Sequence, residues 1–202
     1  MYLSVFFLIV IVSSLTAEPA FLRKLQDRCN IHNIQVVEDF DIEKASGIWY
    51  VVYRSSNLKN GGVFEFSDAG GGDMNVHFLG QSPDWTCSSK FNTVMRHGQK
   101  IGDGDFLTRP WGQTTGFVPL KFLYADYDNI MVIYVCVELL ENEDCSRDGE
   151  HVTIVSRTKS LTPEQTMDAM IYAENACVDT DDLVPVIQLI DCASVLTRSL
   201  RH

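Results

Sequence analysis

Between residues 46 and 157 the chain alternates apolar and polar positions in short runs, each rich in Val, Ile, Phe, Tyr and Thr. Alternation with period two predicts strands that bury one face. Eight such runs stand out: Trp49–Ser55, Gly62–Ser67, Met74–Leu79, Thr86–Met95, Lys100–Thr108, Thr115–Ala125, Asn129–Leu139 and His151–Ser156. Between them lie "NGG", "DAGGGD", "GQSPD", "RHGQ", "DYDN" and "SRDGE", built from the residues of tight turns. "DAGGGD" suits a hairpin in which several residues take positive φ.

Eight consecutive strands with short connections must bury one face and hide two edges. Closing into a ring does both. A two-sheet sandwich needs some crossover loops, and the uniformly short connections favour the ring. The expected fold is therefore all-β, an eight-stranded antiparallel up-and-down barrel, wide enough to hold one small ligand.

Past the strands the period changes. "SLTPEQTMDAMIYAENA" carries Leu161, Met167, Met170 and Ile171 near helical spacing. Thr162 suits an N-cap, Pro163 the first helical position, and Glu164 complements the helix dipole. One helix over about 162–175 is expected, packed outside the barrel. The tail, 178–202, includes "DDLVPVIQLIDCASVL", where Pro185 and β-branched residues leave a short helix and an extended strap both open.

The start of the chain has a different character. "MYLSVFFLIVIVSSLTA" holds no charged side chain and an apolar run from Val5 to Val12, followed by small residues. That is the pattern of a secretory signal peptide over 1–17, and the run is too short for a membrane span of roughly 20 residues. A single domain over 18–202 is then expected to be secreted, without stable membrane insertion, and monomeric. The formal net charge of −11 argues against nucleic acid, which needs a basic patch. The six cysteines, Cys29, Cys87, Cys136, Cys145, Cys177 and Cys192, read as three disulfides in a secreted chain. With no C-x-x-C pair and no H-x-x-x-H cluster, no metal site is expected.

Trp49, at the start of the first strand in "DFDIEKASGIWYVVYRSS", suits the floor of such a barrel. Gly47 lets the chain turn beneath it, and Arg157, just past the last strand, is placed to stack on the indole. Gly47-x-Trp49, "YADYDN" with Asp126 and Tyr127, and the single Arg157 in "IVSRT" stand in the order and spacing of the three lipocalin motifs. The chain resembles the lipocalins over roughly residues 29–192, particularly apolipoprotein D and the secreted invertebrate members. Ala125 departs from the family by replacing a threonine. The resemblance implies that Gly47, Trp49, Asp126, Tyr127 and Arg157 are structural. It also implies a Cys29–Cys136 disulfide. The family's second bond ties the tail to the second strand, which has no cysteine here; Cys87–Cys192 takes its place, leaving Cys145–Cys177.

The function implied is carriage of a small hydrophobic ligand inside the barrel: a fatty acid, sterol, retinoid, carotenoid or bilin. No cofactor is required, although the ligand itself can be a lipid or a pigment. Alternation from Trp49 places Val51 and Tyr53 inward. Phe64, Phe66, Phe106, Phe117, Phe122, Tyr124 and Tyr134 are further lining candidates, with Trp85 and Trp111 in loops at the open end. Haem is a less favoured ligand, with His77 as its axial residue. A biogenic amine held by Glu65 and Asp105 is another alternative, and an inhibitor or anti-haemostatic protein acting through surface loops a third. An enzymatic role is not expected: the second strand lacks the thiol of the prostaglandin isomerase lipocalins, and no Gly-x-Ser-x-Gly or H-E-x-x-H motif occurs.

Overall fold

Gly70, Gly71 and Gly72 all adopt positive φ, at 84°, 67° and 88°, a region that glycine enters without penalty. The chain therefore reverses tightly between β2 (Gly62–Gly70) and β3 (Asp73–Gln81). The computed structural model describes residues 30–56, 61–82, 84, 86–98, 102–109 and 116–199. Within them, β1 (Gly47–Ser55) precedes this hairpin, and β4 (Cys87–His97), β5 (Asp105–Thr108), β6 (Val118–Asp126), β7 (Ile130–Cys136) and β8 (Glu150–Ser156) follow it. Each strand from β2 to β8 pairs antiparallel with the next, and β1 pairs with both β8 and β2. The ring of eight strands is closed, so the meander leaves no long edge exposed.

The seam between β1 and β2 has a second component. Pairing runs from Gly47↔Phe66 to Tyr50↔Val63 and then ends. Beyond it a ninth strand, β9 (Leu183–Pro185), pairs with Tyr53–Ser55. The Val186 N–H donates to the Val52 carbonyl at 2.8 Å. Gln188 Nε2 donates to the carbonyls of Val51 at 2.6 Å and Gly62 at 3.2 Å, bridging the two strands. The tail thus combines both forms left open by its sequence: a strap through β9, then a short helix over Ala193–Ser199.

A four-residue helix, α1 (Ile42–Ala45), leads into β1, with Asp41 as its N-cap. The long helix, α2 (Pro163–Asn175), begins with a full capping box: the Gln165 N–H donates to Thr162 Oγ1, and the Thr162 N–H to Gln165 Oε1. Ala169 and Ala173 are fully buried against the outside of the barrel. Met167 and Ile171, expected on the apolar stripe, are 60% and 47% exposed. Small side chains let a helix approach a sheet closely, so Ala169 and Ala173 form the buried centre of the contact, with Leu161 and Met170 packed beside them.

Two cores result. The inner one joins Trp49, Val51, Phe66, Met74, Phe106, Phe122, Met131, Ile133 and Val155. The outer one lies beneath α2 and the N-terminal segment and includes Ile31, Val52, Leu123, Val132, Val152 and Ile154.

Disulfides correct part of the expectation. Cys87 and Cys192 are bonded, tying the start of β4 to the tail. Cys136 bonds Cys145, not Cys29. The segment after β7 folds back on itself, with Leu139 bridged to Cys145, and so delivers Cys145 to the end of its own strand. Cys145–Cys177 is excluded for the same reason, although Cys177 is itself disulfide-bonded. Cys29 and the expected signal peptide lie outside the described residues.

Candidate ligand-binding site

The floor of the barrel is assembled from the ends of three elements. Gly47 takes φ +102°, which turns the chain from α1 into β1 and places Trp49 across the base. A Cβ at Gly47 would lie 3.1 Å from Arg157 Nη1. Trp49 is 0% exposed, and its Nε1 donates to the Ala45 carbonyl at 2.7 Å. The Arg157 guanidinium covers the indole at 3.8 Å from the ring centroid. Its nitrogens donate to the carbonyls of Lys44, Ser46, Ile48 and Tyr127, at 2.8 to 3.2 Å. Burial lowers its pKa. The Tyr127 hydroxyl accepts from the Asp41 N–H at 2.8 Å, and Asp126 accepts from Asn129 Nδ2 at 2.7 Å across the β6–β7 turn. Every one of these groups is occupied in holding chain ends together.

Above the floor the wall is aromatic and aliphatic. Phe64 packs on Phe66 and Phe78, at centroid distances of 5.5 and 4.6 Å, and Phe78 on Phe91 at 5.5 Å. Phe106 meets Phe122 edge-on at 5.7 Å. Val51, Phe64, Phe66, Phe106 and Phe122 thus face the interior, as their strand positions suggested.

Five other candidates do not. Tyr53 packs in the outer core, because a bulge between Val51 and Tyr53 shifts the register and reverses the alternation. A second bulge between Phe122 and Tyr124 turns Tyr124 outward, where it stacks on Tyr172 of α2 at 4.3 Å. Tyr134 is buried in the outer core beneath the helix, and burial raises its pKa. His77 faces out between Phe78 and Val76, with Nε2 at 3.0 Å from Ser89 Oγ and Nδ1 at 3.7 Å from Glu65. It cannot ligate a group in the barrel. Phe117 is 39% exposed, with the guanidinium groups of Arg96 and Arg109 each at 5.0 Å from its ring. Trp85 and Trp111 lie outside the described residues.

The acids proposed for an amine also point outward. Glu65 pairs across the ladder with His77, and Asp105 accepts from Lys121 Nζ at 3.2 Å. Among the described residues, no group of three or more His, Cys, Asp or Glu could hold a metal ion.

Sequence reasoning missed Arg54, Thr153 and His151 on the inner wall. Thr153 pairs with Ile133 and His151 with Val135, both inner-wall positions. Burial lowers the His151 pKa, favouring the neutral ring. The alternation of β8 could have supplied Thr153 and His151. Arg54 faces inward only because of the bulge, which leaves no mark in the composition of β1.

No family model matches the chain. Retinol-binding protein 4-B of Oncorhynchus mykiss is 27% identical over 148 residues, covering 67% of this chain and 82% of that protein. Lobster apocrustacyanin A1 superposes with a TM-score of 0.61 at 17% identity, over 81% of this chain and 96% of that one. Apocrustacyanin C1 gives 0.60 at 16% identity, with the same coverage.

Proposed function

We propose that the chain is a lipocalin, a secreted, non-enzymatic carrier of one small hydrophobic molecule. The ligand sits above the Trp49 floor and belongs to the class of fatty acids, sterols, retinoids, carotenoids or bilins. The observation that carries this reading is the closed ring of strands stoppered by Trp49 under Arg157, with aromatic and aliphatic side chains on its inner wall. A concave, mostly apolar site with few polar groups is the ordinary form of a small-molecule pocket. Similarity to a protein named for retinol binding supports the ligand class, and the disulfides support an oxidising compartment.

The alternatives lose their residues. Haem would need an inward ligand other than His77, and an amine would need acids other than Glu65 and Asp105. The test is native mass spectrometry and absorbance spectroscopy of protein purified from its source. One bound lipophilic molecule is expected, with a visible band if it is a carotenoid or bilin. A Soret band would redirect the reading to haem. Protein that carries nothing and binds neither retinol nor a fatty acid on titration would overturn it.

A further inference from the structure

Beside the polar Thr153 and His151, the inner wall carries a charged side chain, Arg54, that an apolar container does not need. Arg54 lies on β1 just past the bulge, paired with Thr153 of β8. Thr153 in turn pairs with Ile133, a member of the inner core. Residues opposite one another in a ladder share a face, so Arg54 and Thr153 look into the barrel with Ile133. The residues flanking Arg54 agree. Tyr53 packs in the outer core, and Ser55 lines an outer cleft with Val178 and Asp182 of the tail.

The bulge is held deliberately in place. The carbonyls of Val51 and Val52, at its centre, accept from Gln188 Nε2 and the Val186 N–H. Without the bulge Tyr53 would face the interior and Arg54 the solvent. Bulges recur where a strand must re-aim one side chain.

What the bulge delivers is a guanidinium with two buried nitrogens, Arg54 Nε and Nη1, that find no hydrogen-bond partner among the described residues. Burial alone lowers its pKa, with no acidic group offsetting it, and a guanidinium remains charged at neutral pH all the same. The contrast with Arg157, which donates to four carbonyls, shows what a structural arginine looks like in this barrel. A buried cation left unpaired is costly, and an anion arriving with a ligand removes that cost. Glu65 and Asp105 do not supply it, being engaged on the outer face.

We infer that Arg54 is an anion-recognition site inside the barrel, and that the ligand is a carboxylate-bearing amphiphile, either a long-chain fatty acid or an acidic isoprenoid. The carboxylate pairs with the guanidinium in the fork geometry that suits it. The Thr153 hydroxyl stands directly across the ladder as a second donor, and the tail lies along the phenylalanine wall. This rests on the carrier reading above and narrows it from all hydrophobic molecules to acidic ones.

The test uses delipidated protein, tryptophan quenching and calorimetry. Two matched pairs are titrated, palmitic acid against hexadecanol and retinoic acid against retinol, into wild type, R54M and R54K. The acids are expected to bind about 10- to 100-fold tighter than their alcohols, the range of one charge-assisted hydrogen-bonded pair. R54M brings each pair to parity by weakening the acid alone, and R54K keeps part of the preference. Circular dichroism and thermal unfolding confirm that each variant is folded. Equal binding of acid and alcohol by the wild type, or an R54M effect that weakens both alike, overturns the inference and leaves the carrier reading standing. If neither acid nor alcohol binds the wild type, the carrier reading falls and takes the inference with it.

Discussion

Arg157 at the floor and Arg54 farther up the wall are the same residue type in the same barrel, in opposite situations. Arg157 donates to the carbonyls of Lys44, Ser46, Ile48 and Tyr127 and stacks on a fully buried indole. Arg54 has two buried nitrogens with no partner among the described residues. Hydrogen-bond satisfaction therefore separates a guanidinium that closes the fold from one kept available. Burying a polar group is tolerable when it is paired and informative when it is not.

The contrast has a measurable form in stability. Trp49→Ala removes the floor and leaves Arg157 over a cavity; urea unfolding should show a loss of about 3 to 5 kcal/mol. Arg157→Lys retains the charge but not the planar fork. It should lose about 1 to 3 kcal/mol, because several carbonyls at the chain ends are left unpaired. A lysine variant as stable as wild type would remove the distinction between the two arginines.

Arg54→Met should have the opposite sign. Thermal unfolding of ligand-free protein is expected to show no loss, and a gain of up to about 1 kcal/mol, since a half-buried guanidinium with two nitrogens unpartnered among the described residues is replaced by an apolar chain of similar length. A clear loss would mean that Arg54 is structural after all.

The smallest effect concerns His151, whose pKa is depressed by burial. In the window between that depressed value and the ordinary one near 6.5, the unfolded chain binds a proton that the folded chain does not. Stability should therefore be full above about pH 6.5 and fall as the pH drops through the window. Glu150 acts in the opposite sense, its pKa raised chiefly by burial, but it is common to both proteins. His151→Gln should flatten the fall of the thermal midpoint between about pH 7.5 and 5.5, measured against wild type.

The inner and outer cores show how far pattern reading reaches. Seven of the described strands begin and end close to their expected positions, because alternation and turn residues are local signals. The 162–175 helix was legible through Thr162 and Pro163 for the same reason. Facing was legible only where alternation ran undisturbed, as at Val51, Phe64, Phe66 and Phe106. Tyr53 and Tyr124 were misassigned because each follows a bulge, and one extra residue reverses everything after it. Tyr134 was misassigned differently. The central strand β7 is apolar on both faces, Met131 and Ile133 inward, Val132 and Tyr134 outward. When both faces are buried, composition cannot say which one meets the lumen.

The chain by itself determined the eight strands of the ring, its closure, the 162–175 helix and the Trp49–Arg157 stopper, since short-range periodicity, turn chemistry and motif spacing are written residue by residue. Only the folded molecule decided which side chains face the interior, that Cys136 joins Cys145, and that two buried nitrogens of Arg54 lack a partner among the described residues. Those outcomes depend on bulges, on a tail laced between β1 and β2, and on contacts between residues far apart in sequence. Their energies exist only once the ring has closed.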